Sequence, residues 1–380
     1  MIDAPVTGAW RPGDPPGRRK FASLFGRGRD RPGGLDLEAG GHLSEVTVAY
    51  ETWGKLNAST SNAVLVLHAL SGDSHVSGPV EPGHPSPGWW GPLVGPGAPI
   101  DTNRFFVVCP NVLGGCQGTT GPSSWASDGK PYGSRFPVVT VKDQVVVERA
   151  LASELGIDTW YAVAGGSMGG MRSIQWAVDF PANIERVVVV ATGAAASAEQ
   201  IALCWLQNQA IRLDPDFRGG DYYDAARGPV AGLAIARGIG HLSYRSEVEL
   251  QRRFGNKSQD HEAPLHKGRY AVASYLEHHG EKMTGRFDAN SYLVLSEAMN
   301  HYDLGRGYGG AREALSRVRA QVTIAGIVSD RLYPLRLQWQ LAELLGCADD
   351  VQVIDSIVGH DAFLVEHQAM GRVIREAFDS

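Results

Sequence analysis

A single serine stands among glycines in the segment GGSMGG, residues 165–170. A serine hydroxyl is a weak nucleophile, so it must be exposed, oriented and deprotonated by a neighbouring base before it attacks a carbonyl group. A sharp strand-to-helix turn exposes such a hydroxyl, and glycines on both sides relieve the crowding in that turn. The GxSxG pattern over residues 165–169 therefore predicts a nucleophile elbow with Ser167 as the attacking residue.

The residues on both sides of Ser167 support this interpretation. The apolar run WYAVAG (residues 160–165) suits a buried strand, and MRSIQWAVDFP (residues 171–181) has the spacing of a helix that stops near its proline. The first turn of that helix would offer free N–H groups and a positive dipole end to an oxyanion, so the Met168 amide is the first predicted oxyanion donor. Because GxSxG alone is a weak signal in a glycine-rich chain, the strand-turn-helix context carries the prediction.

An acidic residue and a histidine should follow the serine in that order, each on a loop after a late strand. Asp330 ends the strand pattern VTIAGIVSD, and His360 follows the pattern VQVIDSIVG directly before a C-terminal helix pattern. Asp355 is a weaker alternative because it lies inside a strand pattern. The order and spacing predict a catalytic triad in which Ser167 attacks, His360 moves the proton and Asp330 orients the imidazole.

The second oxyanion donor should come from the loop after an early strand. The stretch VLVLHALSGDSHV contains the turn HALSG, residues 68–72, and we predict the Leu70 amide as that donor. His68, Asp73 and His75 lie in the same stretch and raise the alternative of a metal site. No further ligand at a known metal-binding spacing supports this alternative, so we predict no metal.

Short runs rich in β-branched residues alternate with longer helical patterns, which predicts a mostly parallel sheet covered by helices on both faces. The strand patterns are residues 46–53, 63–70, 104–111, 160–165, 186–193, 322–330 and 351–359. Thr140 and Asp143 form a capping-box pattern at the start of one helix, and Gly156 stands where that helix should end.

Changes in composition and in helix and strand patterns divide the chain into four parts. Residues 1–34 are rich in Pro, Gly and Arg, and they predict a flexible or surface-draped N-terminal tail. Residues 35–194 and 313–380 carry the strand patterns and form the two parts of the α/β core. Residues 195–312 have helical spacing without a strand candidate, and they predict a helical lid inserted into that core.

Composition and charge exclude several classes of function. The formal net charge of -6 indicates no excess of basic residues for binding nucleic acid, so we predict no nucleic-acid partner. No segment reaches roughly 18 apolar residues without charge, and the N-terminus lacks the apolar core of a secretory signal, so we predict a cytoplasmic protein with no membrane partner. The four cysteines are scattered without metal-binding spacing and suit buried free thiols.

Eight segments carry a resemblance to a known enzyme family. They run from about residue 35 to the C-terminus and are VAYETWGKLN, HALSGDSHV, NRFFVVCPNVLGGCQGTTGPSS, FPVVTVKDQV, AGGSMGG, RFDANSYLVL, SDRLYP and GHDAFL. Together they are similar to the homoserine O-acyltransferase family, and they are far more specific than GxSxG alone.

The resemblance implies an α/β-hydrolase fold with a helical lid and an assembly that is commonly a homodimer. It implies acetyl transfer from acetyl-CoA to the hydroxyl of L-homoserine, by a ping-pong route through an acetylated Ser167, for methionine biosynthesis. Acetyl-CoA then acts as a co-substrate, and no resident cofactor is expected. The resemblance also implies that Arg237 binds the carboxylate of the amino acid, that Asp361 binds its ammonium group, and that Tyr244 touches the substrate.

Several alternatives stay open at this point. Arg237 could instead form a salt bridge on the lid surface, and Asp361 could cap the helix that begins in AFLVEH. The same family includes homoserine O-succinyltransferases, and serine is a further conceivable acceptor. The triad also suits an esterase or thioesterase if water reaches the acyl-enzyme, whereas a non-catalytic binding module would not need all three triad residues.

Overall fold

An eight-stranded, mostly parallel sheet lies at the centre of the computed structural model, which describes residues 5–26, 33–347 and 350–379. In chain order its strands are β1 (Lys20–Leu24), β2 (Val46–Trp53), β3 (Ala63–Leu67), β4 (Phe106–Pro110), β5 (Trp160–Gly166), β6 (Ile184–Val190), β7 (Gln321–Ile327) and β8 (Gln352–Ile354). The spatial order is β1-β2-β4-β3-β5-β6-β7-β8, and only β2 runs antiparallel to the other strands. The predicted mostly parallel α/β sheet is therefore confirmed.

Helices cover the sheet and fill the segment between β6 and β7. They are α1 (Val141–Glu154), α2 (Met168–Asp179), α3 (Ala198–Arg212), α4 (Val230–Tyr244), α5 (Glu247–Arg253), α6 (Ala271–Thr284), α7 (Ala289–Asn300), α8 (Ala311–Leu315), α9 (Arg336–Leu345), α10 (Ala362–Val365) and α11 (His367–Asp379). Short 3-10 helices span Gly133–Arg135, Pro215–Gly220 and Pro264–His266, and two small sheets pair Leu35–Asp36 with His42–Leu43 and Val94–Gly95 with Ile100–Asp101. No helix of the described chain combines the length and the apolar character that crossing a membrane requires.

The central strands form because their residues are apolar on consecutive positions, as expected for strands buried on both faces. All five residues of β3, AVLVL, are buried, and so are the last four residues of β6, VVVV. Each predicted strand pattern contains a strand, but several strands are shorter than predicted. β3 ends at Leu67 rather than at residue 70, and β8 ends at Ile354 rather than at residue 359, because the chain turns there into the loops that carry site residues.

Helix α1 begins as its sequence predicts. The Thr140 side chain accepts a hydrogen bond from the Asp143 N–H, and the Asp143 carboxylate accepts one from the Thr140 N–H, so the capping box is confirmed. Gly156 follows this helix with a φ of 70°, the left-handed conformation that favours glycine just beyond a helix end.

Helices α3 to α8 lie between β6 and β7, in the segment for which the sequence predicts a lid. Helix α4 packs against both α3 and α6, and α3 also packs against α7. Among the residues that the structure describes, this segment adds no strand to the central sheet and forms only two isolated bridges, Ala195 with Asp303 and Ser258 with Tyr270. The insertion leaves the sheet uninterrupted, because β6 and β7 pair directly with each other.

The prediction of a flexible or surface-draped tail over residues 1–34 is wrong for the segment that forms β1. Lys20–Leu24 pair with β2, and within this strand Ala22 and Leu24 are buried. Arg19 is buried as well, and its guanidinium donates to the carbonyl oxygen of Gly83 at 2.8 Å. The alternation of buried and exposed residues in this strand is a period-two signal that the high Pro, Gly and Arg content concealed. Within the predicted tail, residues 1–4 and 27–32 lie outside the described residues.

A buried ion pair connects α2, which follows the Ser167 turn, to α1, which precedes β5. The Arg172 Nη1 on α2 lies 2.5 Å from the Glu148 Oε1 on α1, and both side chains are buried. The Trp176 indole N–H donates to the second Glu148 oxygen at 2.8 Å, and the Arg172 Nη2 donates to the His68 carbonyl oxygen at 2.5 Å. These contacts tie α1 and α2 to the loop that follows β3.

We expect Glu148→Gln to lower the free energy of unfolding by about 3–5 kcal/mol, because it leaves the Arg172 guanidinium buried without its carboxylate. The double variant Glu148→Gln with Arg172→Met should lose much less stability, since it removes both charges. Urea unfolding followed by circular dichroism measures the difference. Equal losses in the single and the double variant would contradict this account of the ion pair.

Candidate active site

Ser167 occupies a strained turn between β5 and α2. Its φ of 57° and ψ of -124° lie in a region that residues with a side chain rarely adopt. The backbones approach so closely here that a Cβ atom on Gly165 would lie 2.5 Å from the carbonyl carbon of Gly169. A Cβ atom on Gly169 would lie 2.0 Å from the Leu67 oxygen at the end of β3. Glycine is therefore required at both positions, and the turn that results leaves Ser167 on the wall of a cavity.

His360 and Asp330 form a buried, hydrogen-bonded pair. The His360 Nδ1–H donates to Asp330 Oδ2 at 2.6 Å. The other carboxylate oxygen, Oδ1, accepts from the backbone N–H groups of Leu332 at 2.9 Å and Tyr333 at 2.8 Å. The carboxylate is thus fixed from both sides, and the tautomer that it selects leaves His360 Nε2 free to accept a proton.

Opposing effects set the pKa of His360. Burial disfavours the charged imidazolium and lowers the pKa, whereas the Asp330 carboxylate raises the pKa through its charge and its hydrogen bond, and Asp361 adds to this effect. The net result is a pKa above the ordinary value of 6.5. A base with a raised pKa accepts a hydroxyl proton more readily once it is itself neutral. The Tyr333 ring stacks on the imidazole with 5.1 Å between the ring centroids and restrains its orientation.

The structure brings the three residues of the predicted triad to one edge of the sheet. Ser167 follows β5, Asp330 follows β7 and His360 follows β8, and the carboxyl ends of parallel strands meet at the same edge. Ser167 and His360 line one cavity, and Asp330 lies on the far side of the imidazole. The other residues that line this cavity are Ala69, Leu70, Ser71, Gln200, Leu203, Cys204, Gln207, Arg237, Ser243, Tyr244, Met299, Leu332, Tyr333, Asp361, Phe363 and Leu364.

The two predicted oxyanion donors both have free backbone amides. Within the described part of the chain, the Leu70 and Met168 N–H groups donate to no protein acceptor. Met168 is the first residue of α2, so its amide also lies at the positive end of that helix. The loop that carries Leu70 is fixed at its next residue, because the Arg237 Nη1 donates to Ser71 Oγ at 3.1 Å and the Arg286 Nη1 donates to the Ser71 carbonyl at 2.8 Å. Unpaired amides on a fixed backbone suit the binding of a developing oxyanion.

Arg237 lies on α4 and extends into the cavity rather than over the lid surface. Its guanidinium carbon lies 5.5 Å from the centroid of the Tyr244 ring, a cation–π distance. Among the described residues, no carboxylate lies within ion-pair distance of Arg237, so the structure does not support the surface salt bridge. Burial raises the pKa of Tyr244, which keeps its hydroxyl protonated. The guanidinium is therefore available to an anion that enters the cavity.

Asp361 lies next to His360 and also lines the cavity. It precedes α10, but its side chain makes no hydrogen bond to the first turn of that helix, so the structure does not support the helix-cap alternative. Instead its Oδ2 lies 3.2 Å from the Nη2 of Arg245. Burial raises the pKa of the Asp361 carboxyl, and the positive charges of Arg245, Arg237 and His360 offset this only in part.

The structure gathers a different set of candidate metal ligands from the set in the sequence. The His68 Nε2 accepts from the Val112 N–H at 3.1 Å and is not available, whereas Glu51, His75 and His84 have ligand atoms within 4.8 Å of one another. His75 already contacts Glu51 through Nδ1 and the Pro79 carbonyl oxygen through Nε2, so both ring nitrogens serve as donors. The His75 and His84 rings are stacked 3.9 Å apart with 12° between their planes, so their in-plane lone pairs lie in two nearly parallel planes and do not point toward a common ion between the rings. This geometry suits a buried imidazolium–carboxylate pair better than a metal centre.

Known proteins with similar sequences identify the family. A family model for the alpha/beta hydrolase fold matches residues 62–367. The homoserine O-acetyltransferase of Thermobifida fusca is 56% identical over 373 residues, which cover 98% of this chain and 97% of that protein. The chain belongs to the homoserine O-acetyltransferase family.

Solved structures agree with membership in the homoserine O-acetyltransferase family. The crystal structure of homoserine O-acetyltransferase from Bacillus anthracis is 28% identical, has a TM-score of 0.85 and covers 95% of this chain and 98% of its own. The crystal structure of esterase E22 is also 28% identical, has a TM-score of 0.84 and covers 95% of this chain and 100% of its own. The predicted α/β-hydrolase fold and the family resemblance are thus confirmed, and the same fold carries proteins named as a transferase and as an esterase.

Three residues at the site of this homoserine O-acetyltransferase family member were not identified from the sequence. Tyr333 stacks on the triad histidine and Ser71 accepts from Arg237, and both lie in the segments SDRLYP and HALSGDSHV, which were already singled out. Their position in those segments was a usable signal. Arg245 contacts Asp361 from the distant lid, and neither a motif nor a periodicity connects these two residues in the sequence.

We expect Asp330→Asn to shift the pH dependence of acylation as well as to reduce its rate. In the unaltered protein the rate should rise with pH as His360 loses its proton, with a midpoint above 6.5 because Asp330 raises that pKa. The variant should have a lower midpoint and a plateau reduced by about 10³–10⁴-fold, because the amide no longer selects the productive tautomer. Release of 4-nitrophenol from 4-nitrophenyl acetate measures the profile.

The matched control is Asp355→Asn, which changes an exposed aspartate and should leave both the midpoint and the plateau unchanged. An Asp330→Asn profile with the original midpoint would contradict the role of Asp330 in raising the pKa of His360.

Proposed function

We propose that this protein transfers an acetyl group from acetyl-CoA to the hydroxyl of L-homoserine through an acetyl-Ser167 intermediate. The observation that carries this proposal is one cavity that holds Ser167 and His360 beside one cationic and one anionic side chain, Arg237 and Asp361. The first two residues supply acyl-transfer chemistry, and the other two match the two charges of a free amino acid. Membership in the homoserine O-acetyltransferase family supports the same substrate.

Acylation begins when the Ser167 Oγ attacks the thioester carbonyl carbon and passes its proton to His360 Nε2. The carbonyl oxygen becomes an oxyanion, which accepts hydrogen bonds from the Leu70 and Met168 amides. When the intermediate collapses, the carbon–sulfur bond breaks and the thiolate takes the proton from His360. Asp330 stabilises the imidazolium that exists between these two steps. The products are free CoA and acetyl-Ser167.

Deacylation repeats this chemistry with a different nucleophile. The hydroxyl of homoserine gives its proton to His360 and attacks the acetyl carbon, and the oxyanion again faces the Leu70 and Met168 amides. Collapse breaks the bond to the Ser167 Oγ, which takes the proton back from His360. The product is O-acetyl-L-homoserine, a precursor for methionine biosynthesis. Acetyl-CoA is a co-substrate in this scheme, and the scheme asks for no resident cofactor.

Acetyl is favoured over succinyl by the charges around the cavity. Among the described residues that line the cavity, Arg237 is the only lysine or arginine. A succinyl group carries a carboxylate of its own, which would compete with the carboxylate of the amino acid for that one guanidinium. The remaining lining includes Leu70, Leu203, Met299, Leu332 and Phe363, an apolar set that suits a methyl group.

The four cysteines support a reducing compartment as the location. Cys109, Cys116, Cys204 and Cys347 are free thiols in the structure, as expected for a protein of the cytoplasm. We infer a cytoplasmic location also because acetyl-CoA, the proposed donor, is available there.

An exposed apolar patch on the lid supports a homodimer. Ile201 and Trp205 lie four residues apart on α3, and Ile235 and Leu242 lie seven residues apart on α4, which packs against α3. All four side chains are exposed, and Trp205 is 57% exposed. A patch of this kind on packed helices suits a self-complementary interface around a twofold axis.

We expect continued release of free thiol from acetyl-CoA, beyond one thiol per active site, only when L-homoserine is present, and we expect Ser167→Ala to abolish this release. Purified protein is offered acetyl-CoA or succinyl-CoA together with L-homoserine or L-serine, and the thiol is titrated over time. Continued release without an amino acid, beyond the first thiol per active site, would mean thioester hydrolysis instead of transfer. A preference for succinyl-CoA would overturn the donor assignment, and a preference for serine would overturn the acceptor assignment.

We expect Trp205→Glu to convert a dimer into a monomer, because it inserts an uncompensated charge into the centre of the patch. Light scattering after size-exclusion chromatography measures the mass. The control is Trp125→Glu, which alters a tryptophan of similar exposure, 59%, outside the lid and should leave the mass unchanged. A Trp205→Glu protein with the mass of the unaltered protein would contradict the proposed interface.

A further inference from the structure

A chain of four alternating charges leads from the cavity to the surface of the lid. The Arg245 guanidinium contacts Asp361 Oδ2 at 3.2 Å and Glu249 Oε1 at 3.1 Å. Glu249 Oε1 also contacts the Nη1 of Arg253, at 3.2 Å, on the next turn of α5. The side chains of Asp361, Arg245 and Glu249 are between 10% and 14% exposed, whereas that of Arg253 is 42% exposed. The three inner members therefore form a partly desolvated network that ends in water at Arg253.

Asp361 is the only member of this network that lines the cavity. Arg245 lies behind it, at the end of α4, and is not itself among the described residues that line the cavity. A molecule bound beside Ser167 would therefore meet Asp361 rather than Arg245. Any effect of Arg245 on the acceptor must pass through the Asp361 carboxylate.

Two features of its surroundings work against the binding of an ammonium group by the Asp361 carboxylate. Burial favours its neutral form, which could not attract an ammonium group, and the carboxylate has no helix-cap hydrogen bond to fix its direction. The Arg245 guanidinium addresses both, because its positive charge favours the ionised form and its ion-pair contact at 3.2 Å restrains one oxygen. The second oxygen, Oδ1, has no hydrogen-bond partner among the described residues and is left for a ligand.

We propose that Arg245 is a positioning residue for the acceptor, whose ion pair keeps Asp361 ionised and oriented so that Asp361 binds the ammonium group of the amino acid. This inference rests on the proposed function, and it concerns only its second half-reaction. Acylation of Ser167 by the thioester needs no ammonium site and should not depend on Arg245.

The other charged and titratable groups around Asp361 define what a pH measurement would report. Arg237 and Tyr244 face it from α4, His360 precedes it in the chain, and Glu249 faces the network from α5. Burial raises the pKa of the Tyr244 phenol, so this hydroxyl keeps its proton near neutral pH. His360 titrates in both half-reactions, so the acylation profile provides its contribution. A pH dependence confined to acceptor binding therefore reports Asp361.

The test measures acylation and deacylation separately in the unaltered protein and in the variants Arg245→Gln and Arg245→Lys. The burst of CoA released by acetyl-CoA alone reports acylation, and its amplitude counts the folded, reactive sites. The discharge of preformed acetyl-enzyme at increasing homoserine concentration then gives an apparent KM for the acceptor, between about pH 6 and about pH 8.

For Arg245→Gln we expect an unchanged burst and an apparent KM raised by at least about tenfold at the lower pH, with the defect shrinking as the pH rises. The defect shrinks as the pH rises because the loss of Arg245 raises the pKa of Asp361. The carboxylate then ionises, and attracts the ammonium group, only at higher pH. Arg245→Lys keeps the charge and should recover most of the acceptor affinity. Adding Asp361→Asn to Arg245→Gln should cause little further loss at the lower pH, because the carboxyl is already neutral there.

Arg252→Gln, which removes an exposed arginine from the neighbouring helix α5, is the matched control and should leave every parameter unchanged. An acceptor KM that is unchanged in Arg245→Gln, or raised equally at every pH, would overturn the inference and leave the proposed function intact. A burst slowed as much as the discharge would overturn it too, since that pattern means a general structural role. An unaltered protein whose acetyl-enzyme is not discharged by homoserine would overturn both the proposed function and this inference.

Discussion

The close approach of β5, α2 and the end of β3 around Ser167 is the constraint on which the remaining site geometry depends. Glycine at positions 165 and 169 lets the helix begin almost in contact with the two strands. Three consequences follow from that proximity. The Ser167 hydroxyl reaches the cavity, the Met168 amide lies at the helix N-terminus, and Arg172 lies near enough to hold the carbonyl of His68. The unfavourable φ of Ser167 persists because buried contacts on all sides determine the backbone around it.

The placement of the charged side chains is a second constraint on the site. A cavity that must accept both an oxyanion and a free amino acid needs charges of both signs close together without their mutual neutralisation. In this protein the cations and carboxylates are separated by their partners. Asp330 is committed to His360, Asp361 is held by Arg245, and Arg237 leans over an aromatic ring instead of pairing with a carboxylate. Each charge is thereby stabilised in the folded state, and Arg237 and Asp361 each keep one binding direction open toward the cavity.

Much of this arrangement could be predicted from the sequence, for identifiable physical reasons. The order Ser167, Asp330, His360 was predictable because parallel strands bring their carboxyl ends to one edge and each residue directly follows a strand pattern. The capping box of α1 was predictable because its bonds are local. Contacts between distant segments were not, and Arg245 with Asp361, or the cluster of Glu51, His75 and His84, become visible only in three dimensions. The N-terminal strand was missed because the prediction for residues 1–34 rested on their overall composition. The alternation of buried and exposed side chains in this strand covers just five residues.

The path of the N-terminal segment has a consequence for exchanging parts between relatives. Before it enters the sheet as β1, this segment crosses to the inserted helices, where the Gly8 N–H donates to the Phe287 carbonyl oxygen and the Thr7 hydroxyl donates to Asp288, the residue that caps α7. On the side of the core, the Trp10 N–H donates a hydrogen bond to the Cys116 carbonyl oxygen. The inserted helices are therefore connected to the sheet by hydrogen bonds from the segment that precedes β1, which is distant in sequence from those helices. A chimera that replaces α3 to α8 as a cassette would sever this connection unless the first residues of the donor protein travel with the cassette.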